Sequence, residues 1–161
     1  NTQGRARSQS KADVLSGVRR LERGLRLAAR EAERATGLSA AQLFMLEKLA
    51  EEGAASSIAD LSARTLTDRS SVSVVVHRLA AAGFVKRSPS REDRRRSQTQ
   101  LTARGRSILA RAPRSPTSTL MRALERVPDE KVRQLATALS ALNKELGYTE
   151  AAMLFEEAPE I

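Results

Sequence analysis

Residues 68–105, DRSSVSVVVHRLAAAGFVKRSPSREDRRRSQTQLTARG, constrain the fold of this 161-residue chain more than any other stretch. Asp68 can cap a helix, and its charge suits the positive end of the helix dipole. At about 100° per residue, Val72, Val75, Val76, Leu79 and Ala82 gather on one side of that helix. Ser70, Ser73, Val74, His77 and Ala81 gather on the other, with Arg78 at the edge. The first face is core. The second is small and polar, so it would let a backbone approach a surface closely. Gly83 closes the helix. Phe84–Arg87 then reads as a strand, residues 88–96 as a charged tip, and Ser97–Leu101 as a second strand with alternating character. Thr102 can cap a further helix.

The charge is local. From Arg69 to Arg114 there are twelve Lys and Arg against Glu92 and Asp93, a net +10. The whole chain is +9, so everything else sums to −1. A one-signed field of this kind implies a polyanionic partner at one surface. The absence of cysteine removes disulfides, thiolate metal sites and thiol redox sensing. A single histidine argues against a histidine metal cluster. No apolar run approaches the roughly 18 residues of a membrane span, and no signal-type apolar region is present. The expectation is a cytoplasmic protein with no cofactor and no membrane partner.

The flanking sequence is helical in pattern. Residues 1–12 are polar and basic without apolar period and are expected to be disordered; a minor-groove arm is the alternative. From Asp13 onward Val14, Val18, Leu21, Leu25, Ala28, Ala32 and Ala35 follow a 4-3-4-3-4-3 spacing, one seam of a helix that Gly37 can end. A second helix opens with Ser39 and Gln42 at capping-box spacing, and Leu38 and Leu43 can staple its start. Leu43, Leu46, Leu49 and Ala50 would form its buried face. A short third helix opens at Ser57 and Asp60, with Ile58, Leu61 and Leu66 supplying apolar contacts. After Thr102 the next helix meets Pro113 and Pro116. An interior proline costs about 3 kcal/mol, so a break is expected at 112–115, with a restart at Ser115–Pro116; a kinked continuous helix is the alternative. Pro128–Glu130 begin a last long helix. Its Val132, Leu135, Leu139, Leu142 and Leu146 repeat the seam spacing of the first. Residues 148–161 form an acidic tail.

A short helix, a turn, a second helix and a β-hairpin make a winged helix-turn-helix. In such a unit the second helix lies in the major groove and its first turns reach base edges. Ser70, Ser71 and Ser73 can bond bases or phosphates, Val74 can touch a thymine methyl, and His77 can reach either. Arg78 is placed for phosphate. The hairpin tip carries Arg91, Arg94, Arg95 and Arg96, and an arginine there can enter a narrow minor groove. Asp93 is read as pairing with an arginine to fix the tip. The plainer alternative is a solvated charged surface.

Asp93-Arg94-Arg95, followed by Leu101-Thr102 and Gly105, resembles the wing motif of MarR-type transcriptional regulators in identity and spacing. Gly83–Arg87 and Ser70–Leu79 also look like that family, and a looser resemblance extends over about residues 13–147. The resemblance implies a homodimer built from N- and C-terminal helices, with two winged lobes on a palindromic site. It matches Arg95 to the arginine that enters the minor groove and Asp93 to the acid that holds the wing. It further implies repression, relieved in many members by a small aromatic or phenolic effector. The cysteine-based and zinc-sensing branches do not fit this composition. Pro113 and Pro116 fall in a helix that is commonly unbroken in the family.

The expected architecture is therefore mostly α with a small β-hairpin wing. Residues 38–102 form the winged helix-turn-helix region, and 13–37 with 103–147 form a helical dimerisation region. Val14, Val18, Leu21, Val132, Leu135, Leu139 and Leu142 line the dimer seam. Two other functions stand beside a sequence-specific regulator. One is a sequence-neutral architectural DNA binder without effector. The other is an enzyme, for which no nucleophile–base set, paired-carboxylate motif, phosphate loop or metal cluster is present.

Overall fold

The structure, a computed structural model, describes residues 2–89 and 97–148. The elements run α1 (Thr2–Thr36), α2 (Ala40–Glu52), β1 (Ser56–Ser57), α3 (Ile58–Thr65), α4 (Arg69–Ala81), β2 (Val85–Pro89), β3 (Ser97–Leu101), α5 (Ala103–Arg111), α6 (Pro116–Leu124) and α7 (Asp129–Glu145). The chain divides into two compact units, Asn1–Thr119 and Leu120–Ile161. The mostly helical architecture with a small antiparallel sheet is the one expected.

Local signals explain most boundaries of the first unit. The Ser39 and Ser57 capping boxes both form: each serine accepts from the backbone N–H three residues on, and Gln42 and Asp60 accept in return. Two orphan donors are satisfied at each start. α4 ends in a motif that needs a left-handed residue. Gly83 has φ +75, its N–H donates to the Ala80 carbonyl, and the Phe84 N–H donates to the Leu79 carbonyl. This doubly bonded ending turns the chain out of α4 and straight into β2. The sheet order is β1-β3-β2, all antiparallel, with Val85 opposite Leu101 and Pro89 opposite Ser97.

The core lies where α2, α3 and α4 meet the sheet and α5. Leu43, Leu46, Leu49, Leu61, Val72, Val76 and Leu79 are fully or nearly fully buried, with Phe84, Val85, Leu101 and Ile108 closing the edge. Burying one such side chain contributes on the order of 1.5–3 kcal/mol. Val75 and Ala82 pack against this cluster half-buried.

Four expectations are corrected. α1 begins at Thr2, so the segment expected to be disordered is helical from there. Its Arg, Gln, Lys and Ala residues are good helix formers and no proline interrupts them. α2 buries Phe44 and Met45 as well as its leucines, while Ala50 is exposed. The helix is surrounded by α1, α3, α4, β3 and α5 rather than packed on one side. Leu66 is 85% exposed. It ends α3 in the left-handed region at φ +54, which takes its side chain off the helix's apolar stripe. α5, assigned to the dimerisation region, packs into the winged lobe through buried Gly105 and Ile108.

The proline break is present. α5 stops at Arg111, Ala112 is extended, and α6 restarts at Pro116. Along α1, only Ala32 is fully buried among the described residues, and Val14, Val18, Leu21 and Leu27 are exposed. In the second unit α7 buries none of its residues. Leu135, Leu139, Leu142 and Leu146 stand exposed on it, and Val132 is half-buried. Gly147, at φ +76, ends the helical run.

Candidate nucleic-acid interface

α4 presents the outward face read from the sequence. Ser70, Ser71, Ser73, Val74, His77 and Arg78 are all exposed, while Val72, Val76 and Leu79 on the opposite side are buried. Val74 exposes half its surface, although valine is a residue proteins usually bury. The start of α4 is held by Asp68, whose carboxylate accepts the Ser71 N–H at 2.9 Å. A hydrogen bond from the Ser71 side chain, then this backbone bond, hold Asp68 below the usual carboxylate value of 3.8. The Ser71 hydroxyl thus serves the cap, leaving Ser70 and Ser73 as the two hydroxyls of that face with no such duty.

The wing is hung on the core at its root, and the Leu101-Thr102…Gly105 motif supplies the attachment. The Thr102 N–H donates to the Phe84 carbonyl at 3.0 Å. The Thr102 hydroxyl donates toward the Gly83 carbonyl at 2.7 Å and accepts the Gly105 N–H at 3.1 Å, capping α5. Gly105 is required by space. A Cβ there would lie 2.2 Å from the Phe84 carbonyl oxygen. Only glycine lets α5 come this close to the backbone that leads into β2. The Arg104 guanidinium lies over the Phe84 ring, 4.7 Å from its centroid, a cation–π contact. Lys86 and Arg87 project exposed from β2. Asp93, Arg94, Arg95 and Arg96 lie outside the described residues.

Three features of this region escaped the sequence reading. β1 is two residues long, too short to show alternation, yet it pairs with β3 and makes the sheet three-stranded. Arg64 of α3 pairs with Glu52 and donates to the Lys48 carbonyl at 2.6 Å, tying α3 to α2. Glu47 takes hydrogen bonds from Ser115 and Ser118 across a long loop of sequence. Among the described residues no group of three or more His, Asp or Glu side chains could hold a metal, and no helix is long and apolar enough to cross a membrane.

A helix-turn-helix with its second helix exposed on one small-residue face, followed by a hairpin rooted on the core, defines a winged helix-turn-helix protein. Residues 36–96 match the model of the MarR family. Over that segment the chain is similar to the MarR family, in agreement with the resemblance drawn from the sequence. No curated protein matches the chain. Similar solved structures include three that cover a little over four fifths of it. A MepR-like protein complexed with pseudoligands is 20% identical, with 84% of this chain and 94% of that one covered at a TM-score of 0.59. The transcriptional regulator BldR from Sulfolobus solfataricus is 24% identical, with 82% and 96% covered at 0.55. A mutant MarR from E. coli, complexed with operator DNA, is 18% identical, with 81% and 93% covered at 0.56. At these identities the likeness is one of fold.

Proposed function

We propose that this chain is a sequence-specific, double-stranded DNA-binding transcription regulator, acting as a homodimeric repressor on a palindromic operator. The observation that carries the reading is the exposed face of α4. Ser70, Ser73, Val74 and His77 present small and polar groups outward beside a hairpin whose sequence is strongly net positive. Such a face fits a major-groove floor, and base edges there offer acceptors, donors and thymine methyls to match it. Arg69, Arg78, Lys86 and Arg87, all exposed, are placed for phosphates, which supply affinity without sequence information. Arg95 is assigned to the minor groove and Asp93 to bracing the tip.

Dimerisation is supported by two sets of exposed apolar side chains, on α1 (Val14, Val18, Leu21) and on α7 (Leu135, Leu139, Leu142). Left in water they would be an aggregation liability; covered by a second copy they would form a helical seam. Response to a small aromatic or phenolic effector rests on the family resemblance, and loss of operator binding on adding such a compound tests it. The mutant MarR neighbour in complex with operator DNA supports the DNA-binding reading by its fold.

Selection from a pool of random duplexes, followed by footprinting, tests the proposal. A regulator enriches and protects one palindrome, with half-sites about 34 Å apart or a multiple of that. An architectural binder enriches none.

A further inference from the structure

The near-neutral balance outside residues 69–114 hides a second concentration of positive charge. α1 carries nine Lys and Arg against four acids, a net +5. Its cations are ordered along the helix. At about 100° per residue, Arg19, Arg23, Arg26, Arg30 and Arg34 fall within an arc of about 80°. That arc lies roughly opposite Val14, Val18 and Leu21. It also lies roughly opposite Ala32, through which α1 joins the core. All five arginines are exposed. At 1.5 Å per residue the row is about 22 Å long.

Two observations separate this row from an ordinary solvated face. Exposed helix arginines are offset when acids three or four residues away pair with them, and α1 has Glu22, Glu31 and Glu33 at such spacings. Among the described residues only Arg26 of the row is paired, with Glu22. Neighbours in the row also stand three or four residues apart, so like charges lie side by side, an arrangement that destabilises a helix. A polyanion laid along the row removes that repulsion. A DNA duplex offers one phosphate per about 1.7 Å of its axis, some thirteen over the length of the row. α4 belongs to the same compact unit, and its surroundings carry charge suited to the same partner.

We propose that the outer face of α1 is a second nucleic-acid surface, on which Arg19, Arg23, Arg26, Arg30 and Arg34 hold the phosphate backbone of a DNA duplex without reading its bases. The surface is distinct from the outward face of α4 and does not rest on α4 recognising an operator.

The test uses the full chain, a duplex of random sequence and a salt titration from about 50 to 200 mM. Arg19, Arg23, Arg30 and Arg34 are replaced together by Gln, a comparable helix former. Each phosphate contact adds about 0.9 to the steepness of log affinity against log salt. The variant's slope is therefore expected to be shallower by about three to four, and the wild type to lose roughly 100-fold more affinity across the titration. Replacing Arg122, Arg126, Lys131 and Lys144 by Gln removes the same net charge from exposed positions elsewhere; that slope should stay within about one of wild type. Equal losses in the two variants would mean that the row acts only through the long-range field. An unchanged slope in the α1 variant would mean that the row is merely solvated. Either result overturns the inference. If the fourfold variant loses helix by circular dichroism, Arg23→Gln with Arg30→Gln takes its place, with a drop of about two expected; no drop overturns the inference equally. Base preference in duplex selection should match between the α1 variant and wild type, and an altered preference contradicts a surface that reads no bases. A wild type that selects no palindrome sinks the regulator reading and leaves this one standing.

Discussion

Gly105→Ala tests the wing attachment, because two physical effects predict opposite signs for it. Gly105 sits inside the first turn of α5, where alanine has the better helix propensity by at most about 1 kcal/mol. Propensity alone makes the variant more stable. The space around it says otherwise. The added Cβ would stand 2.2 Å from the Phe84 carbonyl oxygen and 3.1 Å from a Leu101 methyl. Even a close C–H···O contact needs roughly 3.3 Å, so α5 and β2 must separate by about 1 Å. The Thr102 hydroxyl bond to the Gly83 carbonyl, now 2.7 Å, would then exceed hydrogen-bonding range. Its loss costs about 1 kcal/mol, and forced repacking of Leu101, Phe84 and Ile108 a further 1–3 kcal/mol or so. After subtracting the propensity gain, the variant is expected to lose about 1–3 kcal/mol. For a chain of this size that corresponds to a fall in melting temperature of about 2–12 °C, read by circular dichroism of the full chain. An unchanged or raised melting temperature would refute the claim that Gly105 is there for space.

Three further outcomes follow from the site and the seams. Asp68, held below 3.8 by its bonds to Ser71, favours the folded state above its unfolded pKa. That contribution disappears as pH falls through the lowered folded value. Asp68→Asn keeps a capping side chain but not the charge, so its melting temperature should lie below wild type at neutral pH and converge with it only once the pH has fallen below the lowered folded value of Asp68. A gap that stays constant with pH would show that the charge contributes nothing. Replacing Leu139 and Leu142 together with Glu should yield monomers, since both stand exposed on α7 and belong to the proposed dimer seam; sedimentation that still reports dimers means the seam is misassigned. Arg95→Ala should weaken operator binding by about 10- to 100-fold while the dimer persists, and should lower the slope of log affinity against log salt by about one. Unchanged affinity would remove Arg95 from the interface.

Legibility in the sequence followed the range of the interactions. Local signals were readable: Ser39–Gln42, Ser57–Asp60 and Asp68 cap as their spacing implied, and the second hairpin strand runs over Ser97–Leu101 as expected. The two faces of α4 were readable because helical period separates Val72, Val76 and Leu79 from Ser70, Ser73 and Val74. What could not be read depends on distant partners. Phe44 and Met45 are buried because α2 is surrounded, and periodicity assumes one buried side. Glu47 finds Ser115 across 68 residues of sequence, and no local pattern announces that pairing. Gly105 was visible as part of a motif, but the reason for it, the nearness of the Phe84 carbonyl, exists only once the chain has folded back. Leu66 misled because an apolar residue ending a short helix normally packs, whereas here it occupies a left-handed position that a glycine would fill without strain.

The central claim is that the outward face of α4 reads bases. The most direct measurement compares base preference, determined by duplex selection, for the wild type, Ser73→Ala and Val74→Ala. The account predicts that each variant relaxes preference at one symmetric pair of operator positions, costing about 1–3 kcal/mol there, and leaves the other positions as they were. Variants that bind more weakly but with the wild-type preference at every position would contradict it.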